Sequence, residues 1–105
     1  MKVRFLKLAQ SEVDGAFTWY ESQSQGLGTQ FLDDFDHAVR RITAFPLANA
    51  NLAEGLRRYL LSRFPYGIIY GTDGDAVIVV AVGHLHREPR YWIDRLKSKS
   101  PYTAR

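Results

Sequence analysis

The chain has 105 residues, 46% of them hydrophobic and 24% charged, which is enough for one domain around one core but not for two. It holds no cysteine, which excludes disulfides, thiolate metal centres and a cysteine nucleophile, and its longest apolar run, residues 76–82, is far too short to span a bilayer. The formal charge of +3 is local: residues 84–105 carry six Lys or Arg against two acids, while residues 1–83 carry eight against nine.

Charges interrupt the first five residues at once, so no signal-peptide core is present there and a cytoplasmic protein is expected. Residues 3–8 are rich in strand formers and predict a first strand. Ser11 then opens Ser-Glu-Val-Asp, a weak form of the capping box. Val13, Ala16, Phe17 and Tyr20 follow at helical spacing and predict an amphipathic helix ending at Gly26. A second helix is the clearest element. Phe31, Phe35, Ala38, Val39, Ile42 and Phe45 form its apolar stripe, Asp33, Asp34, Asp36, Arg40 and Arg41 lie largely off it, and Pro46 ends it.

Residues 47–55 read as a loop. Residues 57–63 predict a strand that Phe64-Pro65 breaks, and residues 66–72 predict another, in which Tyr66 and Tyr70 share a face. Asp73-Gly74-Asp75 is a hairpin signal. Residues 76–82 have almost no polar alternation, which predicts a central strand buried on both faces. Pro89 suits the first turn of a short helix over residues 90–96. The Ser, Lys and Pro content of residues 97–105 predicts an unordered tail. The fold class is α+β, in the order β-α-α-β-β-β-α, with a helical hairpin on a mostly antiparallel four-stranded sheet.

Chemistry-bearing residues gather in His84-Leu85-His86-Arg87-Glu88-Pro89-Arg90-Tyr91-Trp92, where the buried strand must surface. Two imidazoles without a third ligand at suitable spacing make a poor zinc site, so no metal or cofactor is expected.

An ordered set of segments carries a resemblance. It comprises Trp19-Tyr20-Glu21, Gly26-Leu27-Gly28, Phe31-Leu32, Phe45-Pro46, Gly55-Leu56-Arg57-Arg58, Arg63-Phe64-Pro65-Tyr66, Tyr70, Ala81-Val82, His84, the run Arg87 to Trp92, and Arg95. Together they resemble the RelE/ParE superfamily of bacterial type II toxins, and more narrowly its ParE-like, plasmid-stabilisation branch, over roughly residues 3–96. The resemblance implies a cognate antitoxin whose C-terminal segment wraps the toxin. It also implies one of two targets, the ribosome with its messenger RNA or DNA gyrase.

In a metal-free ribonuclease, a base must deprotonate the 2′-hydroxyl, a cation must hold the phosphorane and an acid must protonate the leaving oxygen. His84, His86 or Glu88 are the candidate bases, Arg57, Arg63 or Arg87 the charge clamp, and Tyr91 or a histidine the acid. RelE-like ribonucleases tend to be strongly basic around the sheet, whereas residues 47–56 here have no Lys or Arg and Leu85 stands near an expected basic position. For a gyrase poison no bond-breaking group is needed, and Arg63, His84, His86, Arg87, Arg90, Tyr91 and Arg95 are the expected target-binding surface. This is the preferred reading. A weakly toxic or inactive member that only binds antitoxin is the third. Leu60, Ile68, Val77, Val79 and Trp92 are expected to form an apolar face that the antitoxin covers, with homodimerisation through the same face as the competing outcome.

Overall fold

A computed structural model describes residues 1–87 and 90–95. The elements, in order, are β1 (Lys2–Phe5), α1 (Lys7–Gln23), α2 (Leu27–Ala44), β2 (Asn51–Ala53), β3 (Leu56–Leu60), β4 (Tyr66–Asp73) and β5 (Ala76–His84). Two helices pack on one mixed sheet of strand order β1-β5-β4-β3-β2, in which β1 runs parallel to β5 and every other pair is antiparallel. Among the described residues no helix is long and apolar enough to cross a membrane.

The first helix starts five residues earlier than an N-cap at Ser11 suggests. Leu6 is its N-cap, with extended backbone and no side-chain cap. Its N–H donates to the Val79 carbonyl (3.0 Å), and its side chain is buried with Ala9, Val13 and Ala16. Counted from Leu6, these positions keep helical spacing, so burial of that stripe outweighs the strand propensity of residues 6–8. In α2 the stripe is buried at Phe31, Phe35, Ala38 and Ile42 and partly at Val39, whereas Phe45, the C-cap, is exposed; Asp34 is buried as well. Its carboxylate accepts the backbone N–H groups of Arg63 (2.8 Å) and Phe64 (3.1 Å). Those donors are thereby satisfied outside any ladder, which is why β3 stops at Leu60 rather than running to residue 63.

A fifth strand lies where a loop was expected. Asn51 pairs with Arg57 and Ala53 with Leu56, and the connecting residues Glu54 and Gly55 both have positive φ, 57° and 75°. A two-residue hairpin needs that backbone, and glutamate is a poor signal for it.

As expected, β5 is central and buried from Ala76 to Gly83. Its register against β4 places Ala81 opposite Ile69 and Val79 opposite Tyr70, leaving Val80 as a bulge. Val77 and Val79 on one side of that bulge, and Val82 and His84 on the other, therefore face the helices. Tyr66 and Tyr70 share that face. Tyr66 packs edge-on against Phe31, and the Tyr70 hydroxyl donates to the Pro46 carbonyl (2.7 Å).

The short terminal helix does not form among the described residues. Residues 90–95 make tight turns instead, with Ile93 N–H on the Arg90 carbonyl and Arg95 N–H on the Trp92 carbonyl. Arg90 sits at φ 65°, a left-handed conformation that cannot start an α-helix. Glu88, Pro89, Leu96 and the expected tail, residues 97–105, lie outside the described residues.

Candidate functional site: a cationic cleft and its carboxylate anchor

Because β1 ends at Phe5 while β5 runs on to His84, the second half of β5 has an edge with no strand beside it among the described residues. Glu12 of α1 fills that notch. One carboxylate oxygen accepts the Val82 N–H (2.9 Å) and the Arg95 Nη1 (2.7 Å). The other accepts the Arg95 Nη2 (2.9 Å) and an Arg87 Nη1. Arg95 also donates to the Val80 carbonyl (3.1 Å), exposed by the bulge. A fork of two parallel bonds between arginine and carboxylate is the strong, orienting form of this contact.

The same two arginines flank Tyr91, with the Arg87 guanidinium 3.9 Å and that of Arg95 5.2 Å from the ring centroid. Burial, then the negative charge of Glu12, push the Tyr91 phenol up to about 12, against the opposing pull of Arg87 and Arg95. Its hydroxyl lies where a Cβ on Gly83 would stand, 2.0 Å from that position. Glycine at 83 is thus required for the C-terminal turns to lie on the sheet.

Between these turns and the β2–β3 hairpin, on the sheet face away from the helices, opens a cleft of about 250 Å³. Ile69 and Trp92 give it an apolar base, and Leu52 and Leu85 lie on its rim. Arg58, Arg87 and Arg90 supply its cationic groups, and His84 borders it at the end of β5 with its ring turned to Tyr66 on the helix side. His84 is half-buried, packed edge-on against Tyr66 at 5.4 Å, and its Nδ1 accepts the His86 N–H (3.1 Å). In the neutral ring the proton therefore sits on Nε2. The exposed His86 ring leans on it at 4.9 Å.

The sequence-predicted residues divide. His84, Arg87, Arg90, Tyr91 and Trp92 meet at the cleft. Arg95 lies behind Tyr91, tied to Glu12. Arg57 does not join them. It pairs with Tyr70 across the β3–β4 ladder, hence faces the helices, and donates to the Asn49 carbonyl. Its neighbour Arg58 takes the cleft position. Arg63 reaches instead to Gln30 of α2 (3.0 Å).

The expected open apolar face must be corrected. Ile68, Val77 and Val79 are fully buried, because alternation and the Val80 bulge turn them under the helices. Trp92 is 6% exposed and only Leu60, at 50%, is open to solvent, on the other face. Ile68, Val77 and Val79 are thus part of the core beneath the helices and not an open face.

Glu12 and Gly83 were not singled out by sequence, and Arg58 stood there only beside Arg57, on the opposite face of one strand, with no choice made between them. A lone glycine inside an apolar strand is a known sign of close approach, and Gly83 was legible in that way. Nothing local marks Glu12, whose partners lie seventy or more residues away. Among the described residues no group of three or more His, Cys, Asp or Glu could hold a metal ion.

Residues 3–89 match the family described as the ParE toxin of the type II toxin–antitoxin system parDE. No curated protein matches the chain. Among solved structures, a chain of a chromosomal ParDE toxin–antitoxin system from P. aeruginosa is similar, with a TM-score of 0.59 at 13% identity. The similarity covers 80% of this chain and 95% of that one. At such identity the likeness concerns the fold.

Proposed function

This chain belongs to the ParE toxin family of type II toxin–antitoxin systems, and on that premise we propose that it is a binding toxin directed at DNA gyrase and neutralised by its cognate antitoxin. One observation carries the choice of a binder over a ribonuclease: the arginines and the tyrosine that phosphoryl chemistry would call on as charge clamp and acid are committed to structure. Arg87 and Arg95 share the carboxylate of Glu12. Tyr91 holds its proton up to about pH 12, a poor match to a general acid working near neutrality. Arg57 faces the helices. What the cleft retains is a rigid cationic and aromatic surface, suited to gripping a partner and stabilising a covalent gyrase–DNA intermediate without breaking a bond. The proposed place of action is the cytoplasm.

The test is to induce the chain alone in bacteria and follow thymidine and amino-acid incorporation together, with a supercoiling assay on purified gyrase alongside. Early loss of thymidine incorporation with gyrase inhibited in vitro is the expected result. Early loss of amino-acid incorporation, with messenger RNA cut, refutes the reading in favour of the ribosome-dependent ribonuclease. Unimpaired growth would make the chain an antitoxin-binding protein without a target.

A further inference from the structure

We propose that the cleft on the helix-free face binds a carboxylate side chain set between apolar residues, presented by a short peptide segment of a protein partner. Arg58 and Arg90 are both exposed, and neither has an ion-pair partner among the described residues. The described residues lining the cleft include no Asp or Glu, so among the described residues the cleft offers cations and no carboxylate. A guanidinium grips a carboxylate with two parallel bonds. Around the cations the surface is apolar. Leu52 and Leu85 are 39% and 46% exposed on the rim, a liability in water unless a partner's apolar side chains cover them.

Size and shape favour a peptide over a nucleic acid. About 250 Å³ lies below the roughly 300–1,000 Å³ of pockets for drug-sized ligands, and suits a few side chains. Single-stranded nucleic acids are held by stacking bases on exposed aromatic faces. Here Trp92 is buried, and the Tyr91 ring carries Arg87 at 3.9 Å. The attribution of this segment to the antitoxin rests on the toxin reading above; the chemistry of the cleft does not.

The test uses the full chain, amide NMR and three capped peptides, Leu-Glu-Leu, Leu-Gln-Leu and Leu-Lys-Leu, with oligothymidylate as the nucleic-acid probe. The glutamate peptide is expected to shift the amides of Gly67 and Gly83. The glutamine peptide should bind about tenfold more weakly, as expected for loss of charge-assisted bonds. Arg58→Gln and Arg90→Gln should each weaken the glutamate peptide by a similar factor. Equal binding of the glutamate and glutamine peptides, tighter binding of oligothymidylate at the same amides, or no shift at the peptides' solubility limit overturns the proposal. Gyrase inhibition is read separately, so absence of peptide binding with inhibition intact defeats this inference alone.

Discussion

Replacing Glu12 is the sharpest perturbation the structure offers. The Glu12 side chain is 15% exposed and that of Arg95 10%, while that of Arg87 is 44% exposed. The Glu12–Arg95 pair is therefore close to buried and the Glu12–Arg87 pair close to a surface contact. Removing one partner of a buried pair costs about 3–5 kcal/mol, because the charge left behind has no compensation. An exposed pair is worth about 0–1 kcal/mol. Residual solvent access puts Glu12→Ala near the lower end, at about 3 kcal/mol, a large share of the roughly 5–15 kcal/mol that holds a typical domain. Glu12→Gln keeps an acceptor for the Val82 N–H and should lose about 2 kcal/mol, since it removes the charge but not the hydrogen bond.

The chain has two tryptophans, which makes the effect readable. Trp19 is exposed on α1 and Trp92 is buried in the C-terminal turns, so in a Trp19→Phe background emission reports only those turns. Urea unfolding of that protein should show the loss in its midpoint, and the native emission of the Glu12→Ala form should already be red-shifted. The double variant Glu12→Ala with Arg95→Met should recover much of the stability, because it removes the orphaned charge as well. A loss under about 1 kcal/mol for Glu12→Ala, with Trp92 emission unchanged, would refute the claim that this carboxylate anchors the segment.

Gly83→Ala sets a methyl against the Tyr91 hydroxyl and should cost about 1–3 kcal/mol, with the Tyr91 ring displaced in a crystal structure of the variant. Ionising Tyr91 is harder in the folded chain than in the unfolded one, where a phenol titrates near 10. The unfolded state therefore holds fewer protons between pH 10 and about 12, and stability should fall as pH rises through that window. Thermal melts of Tyr91→Phe should fall less steeply there; parallel curves for the two proteins would contradict the assignment. Arg57→Ala should lower stability by about 1 kcal/mol, whereas Arg58→Ala should leave the melting temperature unchanged and impair partner binding. Reversed effects would mean that the two side chains have been placed on the wrong faces. Asp34→Ala strips the acceptor from two backbone donors and should cost about 2–3 kcal/mol by urea denaturation.

Periodicity carried most of the architecture. The α2 stripe and the unbroken apolar run of β5 announced a helix and a central strand because each depends on burial spread over many residues. What escaped depended on single backbone conformations or distant partners. The β2 strand turns on Glu54 accepting positive φ, which no propensity favours. The absent terminal helix turns on Arg90 doing the same. The division of Arg57 from Arg58 was visible only as two faces of one strand, and choosing between them needed the register against Tyr70 and Ile69. The apolar face expected to await a partner failed for a similar reason. A one-residue bulge at Val80 changes which side chains look toward the helices, and bulges leave little mark in sequence.

Charge shows the same limit from another side. By sequence the C-terminal segment is a basic patch fit for phosphate. In the fold a single carboxylate from α1 is shared between two of its arginines and offsets one of their two charges, while Tyr91 lies against both guanidinium groups. The field that remains at the cleft comes from Arg58, which belongs to another strand, from Arg90, and from the one charge left on the Arg87–Glu12–Arg95 group. A few separated cations in an apolar setting attract a carboxylate strongly but give weak, short-ranged attraction for a polyanion, whose binding grows with the number of phosphates neutralised. Partner binding at this face should therefore weaken only modestly as salt rises, and a steep salt dependence would mean that the basic residues act together on nucleic acid after all.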